Sequence, residues 1–246
     1  MQCHAYPVHR TCCAALLAIV LGGCHDEDWL QYGWDGRRIV CSHTIDDITG
    51  DAPWGTIRDQ LETAHRRGSV ALLHTHIPHV TVSPSRLLAV LDLADRLGLE
   101  HVTYDDFTEG APPRPGLALA FDDHAIDAWF EQRALFQGRG VRVTFFVSAF
   151  FERTDEERAR LAQLAADGHS IQAHGVRHLD ARTYVDEHGL DAYLADEALP
   201  SIEILREAGY APTAYAYPFG LHSDALDDAM LQHVERVRVG PRPCPY

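Results

Sequence analysis

Strand-like and helix-like segments alternate along this chain, and that alternation limits its fold more than any other feature. Residues 37–42, 70–74, 101–104, 117–121, 143–148, 170–173, 213–217 and 236–239 read as short strands. Residues 54–67 read as a helix that stops at Gly68. Ser83 can cap a second helix with Pro84 at its first position; Leu87, Leu88, Leu91 and Ala94 give it an apolar face and Gly98 ends it. Further helices are expected near 126–137, 155–166, 193–208 and 224–234. Strand–helix alternation implies a parallel sheet with helices outside, because a parallel crossover needs a long connection. The expected α/β fold is an irregular (β/α) barrel of seven to eight parallel strands; a doubly wound open sheet is the alternative. Either way, a site belongs at the carboxyl ends of the strands.

Several of those ends carry chemistry. Phe121-Asp122-Asp123 closes one apolar run, His174-Gly175-Val176-Arg177-His178 follows another, and His74 closes a third. One carboxylate and two imidazoles around an open position form the ligand set of a hydrolytic metal centre. A spare carboxylate beside it is placed to act as a base. Each motif alone is weak. With 16 histidines an HxxxH arises by chance, and an Asp pair can simply cap the following helix. Their position directly after buried strands raises both.

At 246 residues the chain can bury a substantial core. Its net charge of −15 leaves no basic surplus to neutralise phosphates, which argues against a nucleic-acid partner. Arg10 precedes an apolar run, 12–21, too short to span a membrane, and Leu21-Gly22-Gly23-Cys24 resembles the bacterial lipoprotein processing site. Residues 1–23 are therefore expected to be a signal peptide. The mature chain would be a monomer held to the cell envelope by lipid on Cys24. Cys41 and Cys244 then remain, an even pair in an oxidising compartment, as a disulfide or as two separate thiols.

Phe121-Asp122-Asp123, His174 to His178 and Tyr215-Ala216-Tyr217-Pro218-Phe219-Gly220 occur in the order and approximate spacing of the polysaccharide deacetylase family, carbohydrate esterase family 4. The resemblance runs from about Leu117 to Val239. It implies that Asp123, His174 and His178 hold a divalent metal, expected to be Zn²⁺, and that Asp122 is the catalytic base. It also implies that Tyr217, Pro218 and Phe219 line the substrate groove, with the Phe219 N–H as oxyanion donor. The family's closing Leu-x-His motif, whose His is the catalytic acid, is missing from the C-terminal end. It resembles Leu72-Leu73-His74 at the front instead, with Trp54 similar to the family's pocket tryptophan. The chain therefore resembles a circularly permuted deacetylase, one domain over 24–246 joined by a proline-containing linker near 108–116. Nine residues span at most roughly 30 Å, enough for domain ends that lie close together. The new break would bring Cys41 and Cys244 together and favour the disulfide. A truncated deacetylase behind an unrelated N-terminal domain is the alternative.

Departures from the family pattern bear on function. Ala216 stands where an Arg often orients the base, and His124 takes the usual Gly position after the Asp pair. Asp51 is the nearest match for the Asp of the tryptophan motif, while His76 and His79 compete with His74 for the role of acid. The expected function is metal-dependent removal of N- or O-acetyl groups from a cell-envelope or extracellular polysaccharide. A non-catalytic glycan-binding lipoprotein on a degenerate deacetylase scaffold is the rival, and a barrel amidohydrolase of small cyclic amides a second.

Overall fold

In a strand, alternate side chains face opposite sides, so each barrel strand divides its residues between a narrow interior and the helix layer. The computed structural model of the chain describes residues 28–50 and 52–240. The signal segment, Cys24, Asp51 and Cys244 lie outside them. The strands are β1 (Gln31–Tyr32), β2 (Ile39–Cys41), β3 (His43–Thr44), β4 (Val70–Thr75), β5 (Glu100–His101), β6 (Gly116–Asp123), β7 (Thr144–Val147), β8 (Ser170–Ala173), β9 (Ala214–Ala216) and β10 (Arg236–Val239). They form one sheet in the order β1-β4-β6-β7-β8-β9-β10-β2, with β3 on β4 and β5 on β6. Every pairing is parallel except β1 with β4.

The stretch containing β2 and β3 nearly closes this sheet into a barrel. Cys41 on β2 pairs with Val239, and Thr44 on β3 pairs with His74. Two neighbouring pieces of one extended segment thus bridge β10 and β4. The expected barrel strand at 101–104 is reduced to β5, and the chain turns at Tyr104–Asp106 toward the barrel interior. There Tyr104 packs with Tyr32, Trp34, Phe107 and Phe146. Residues 108–115 contain neither strand nor helix and run directly into β6.

Parity sorts the core. Ala118, Ala120, Ala214 and Ala216 join the interior cluster, whereas Leu117, Leu119, Phe121, Tyr215 and Tyr217 face the helices. Small residues inside leave room for two buried arginines, Arg236 and Arg238, on β10. The same alternation directs Asp122, His74 and Ser42 inward.

The helices are α1 (Trp54–Arg67), α2 (Pro84–Leu97), α3 (Ile126–Glu131), α4 (Arg133–Arg139), α5 (Asp155–Ala166), α6 (Ala181–His188), α7 (Leu190–Tyr193), α8 (Leu199–Glu207) and α9 (Asp224–Met230). Ser83 caps α2 as expected, its Oγ accepting the Arg86 N–H at 3.1 Å. The helix expected at 126–137 is broken at Gln132, the residue between α3 and α4. The one expected at 193–208 contains a π turn, Leu194–Ala198, between α7 and α8. Helix α6 follows an Asp180 cap that the apolar periodicity did not reveal. Among the described residues no helix is long and apolar enough to cross a membrane.

Candidate active site

At the carboxyl end of β6 the backbone turns sharply, and Asp123 takes a φ of 85°. Few non-glycine residues tolerate that region, Asp among them. The Ser148 N–H, donating to the Asp123 carbonyl at 2.7 Å, fixes the turn. His174 follows β8, and its Nδ1 lies 2.8 Å from the Ala216 carbonyl. A carbonyl only accepts, so Nδ1 carries the proton and Nε2 presents a bare lone pair. His178 has a φ of 61° and lies across the same gap. Its Nε2 is 3.1 Å, and that of His174 3.6 Å, from Asp123 Oδ1.

These three side chains fit a metal ion. Asp123 Oδ1 is buried and makes no hydrogen bond although two ring nitrogens stand beside it. Their potential ligand atoms all lie within 4.8 Å of one another. Such convergence without mutual hydrogen bonding suits a shared cation, and the His174–carbonyl contact is the outer support that metal-bound histidines receive. Burial would raise the Asp123 carboxyl, but the two imidazoles outweigh it and hold the group far below its usual range.

Asp122 lies inside the barrel mouth, 2% exposed. Arg238 Nη2 donates to its Oδ2 at 2.6 Å, and Oδ1 has no partner. Burial pushes this carboxyl up; the guanidinium and neighbouring imidazoles bring it below the ordinary value. Arg238 pairs in register with Ala216. The guanidinium missing at Ala216 is thus supplied from the adjacent strand.

Arg238 also donates to Ser42 Oγ at 3.2 Å, and Ser42 Oγ lies 2.8 Å from His74 Nδ1. Ser42 Oγ thus bridges the Arg238 guanidinium and the His74 ring. Burial, then repulsion by Arg238, holds His74 well below its ordinary value, so the ring is neutral. His76 differs. Asp46 Oδ2 lies 2.5 Å from its Nδ1. Burial opposes its charge, but Asp46 and the other carboxylates raise its pKa to about 9. His74, His76 and Asp122 form a second group of candidate ligands. That group suits a cation poorly, because the positive guanidinium of Arg238 is already bound to its carboxylate, Asp122.

The remaining expected residues are dispersed. Phe219 is 66% exposed with a φ of 59°, and its ring sits 4.6 Å from that of His178, at the site's edge. Pro218 is buried beneath it. Tyr217, expected to line the groove, instead turns its ring into the helix layer, fully buried against Tyr215 and His222. Trp54 opens α1, packs on the outer core and lies 5.7 Å from the Arg86 guanidinium. His124 is exposed and belongs to neither ligand group. Sequence reasoning missed Ser42, Asp46 and Arg238. The one usable signal was Arg236-Val237-Arg238-Val239, which puts charges at alternate positions of a strand expected to be buried.

Fold and site together define an α/β barrel with an Asp-His-His cluster and a buried Asp–Arg pair at its mouth. The polysaccharide deacetylase family pattern matches residues 109–235, more than half of the chain, and the protein belongs to that family. No curated protein sequence matches it. Solved structures resemble it weakly. Peptidoglycan deacetylase PdaC from Bacillus subtilis shares 21% identity with a TM-score of 0.39, over 50% of this chain and 56% of that one. The chitin deacetylase of Colletotrichum lindemuthianum shares 20% with a TM-score of 0.38, over 49% and 53%. IcaB from Ammonifex degensii shares 18% with a TM-score of 0.43, over 84% and 86%. The chain thus spans little more than half the length of the first two.

Proposed function

We propose that this protein is a metal-dependent deacetylase of an acetylated cell-envelope or extracellular polysaccharide, anchored by lipid on Cys24. The observation that carries the reading is the buried Asp123 Oδ1 facing two imidazole nitrogens without a hydrogen bond, next in the chain to Asp122, whose Oδ1 also accepts none. Asp123, His174 and His178 would hold a divalent cation, zinc by the donor set, which would supply Lewis acidity at the acetyl carbonyl and to water. Asp122 Oδ1 accepts the proton of the attacking water, while Arg238 keeps the carboxylate ionised and fixed. The Phe219 N–H steadies the carbonyl oxygen as it gains charge.

The leaving amine or alcohol needs a proton. The family resemblance assigns that role to His74, but His74 is neutral and bound to Ser42. His76, charged and oriented by Asp46, is the better donor, and His74 supports the Arg238–Asp122 pair through Ser42. The non-catalytic alternative draws on Ala216 and on the imperfect tryptophan motif; Arg238, bound to Asp122, answers the first of these.

The reading includes the circular permutation. It is supported by β4 lying directly against β6, His74 in register with Ala120, across the 108–115 stretch. Acetate release from chitooligosaccharide, peptidoglycan and acetylated xylan, with and without chelator, tests the activity. Release that a chelator abolishes and zinc restores is expected; glycan binding with no acetate from any of them would reject it.

A further inference from the structure

A π turn is an uncommon interruption of a helix, and the one at Leu194–Ala198 delivers a carboxylate into the protein interior. Glu197 is 0% exposed. Its side chain ends at the His174–His178 loop. The Arg177 N–H donates to both carboxylate oxygens, at 3.0 and 2.9 Å, and the Leu179 N–H donates to Oε1 at 3.0 Å. The Glu197 backbone carbonyl accepts the Val176 N–H at 3.3 Å. One residue therefore grips the loop on both sides of His178. The loop is shaped to receive it: at Gly175, φ 84°, an added Cβ would run into Glu197 Oε1.

His178 itself has a positive φ, an unfavourable conformation that persists only where surroundings impose it. The hydrogen bonds at residues 176, 177 and 179 are the surroundings that impose it. A buried carboxylate is costly unless hydrogen-bonded, and charge-assisted bonds to backbone N–H groups are strong ones.

We infer that Glu197 is a positioning residue for the metal site: through the backbone on either side of His178 it holds that imidazole in the orientation that ligates. This inference rests on the reading of Asp123, His174 and His178 as ligands and adds a residue that the family resemblance did not assign.

The test is zinc affinity of the full chain, measured by competition with a chromogenic chelator, for wild type, Glu197→Gln and Gly175→Ala. Far-UV circular dichroism and thermal unfolding of the metal-free forms are read in parallel. Glu197→Gln keeps the shape but places an amide N–H₂ against backbone donors. Gly175→Ala presses on the same contact from the loop side and leaves the carboxylate intact. Both are expected to weaken zinc binding about 10- to 100-fold while the metal-free protein remains folded. A zinc dissociation constant within about twofold of wild type in a folded variant would overturn the positioning role, whatever happens to the unfolding temperature. If Glu197→Gln does not fold, Gly175→Ala decides alone. If wild type itself binds no zinc, the ligand assignment fails, and this inference with it.

Discussion

Asp122 and Arg238 are the pair on which the proposed chemistry turns. Asp122→Asn keeps the shape and loses the proposed base, so deacetylation should fall about a thousandfold while zinc content stays normal. Arg238→Met leaves a buried carboxylate without its cation. Unfolding by denaturant should show a loss of about 3 kcal/mol, with activity lost as Asp122 retains a proton. His76 gives a pH signature. Its folded-state pKa, about 9, stands above the ordinary 6.5. The His76–Asp46 pair therefore contributes its full stability below about 6.5, and loses it as pH climbs through about 9. If His76 is the donor, kcat should decline across the same alkaline range. Replacing it by Gln should cost about a hundredfold and remove that decline, whereas His74→Gln should leave the decline in place.

Elements written in local chemistry were legible in the sequence; those set by distant contacts were not. The Ser83 cap and the glycines after α1 and α2 lie within a few residues of what they terminate. The capping box on α5 is equally local although it was not read from the sequence: Thr154 Oγ1 accepts the Glu157 N–H at 3.2 Å and Glu157 Oε2 accepts the Thr154 N–H at 2.8 Å. Thr154→Ala should cost about 1 kcal/mol in denaturant unfolding without changing zinc affinity. The Asp122-Asp123 and His174–His178 clusters were readable for the same reason, as neighbours in sequence at a strand end. Arg238 reaches Asp122 across 116 residues, and Glu197 reaches Leu179 across 18 through a π turn. No local periodicity encodes either contact. Tyr217 shows the opposite error: its place beside Pro218 was read correctly, but strand parity turns its ring away from the groove.

At the scale of the molecule, the parallel order and nearly closed ring follow from the strand–helix alternation, while the bridging role of β2 and β3 needed the pairing register. Cys41, at the end of β2, is disulfide-bonded. Peptide mapping under non-reducing conditions should join it to Cys244, and reduction should destabilise the fold by about 2–5 kcal/mol.

The segment from Ile39 to Thr44 also sets an order of events. It must pair with β10, nearly two hundred residues further along, before the ring exists: Ile39 meets Val237. A strand made near the start of the chain is thus the last to find its neighbour. Such distant pairing carries a large loop-closure cost, and chains built this way fold slowly. Ser42, which links His74 to Arg238, sits on that closing segment. On the proposed roles, a partly folded chain is expected to assemble the Asp123–His174–His178 cluster before the Ser42 link to Arg238 and His74 forms. Metal capture and catalytic competence should accordingly arise as two separate stages of refolding, the first ahead of the second.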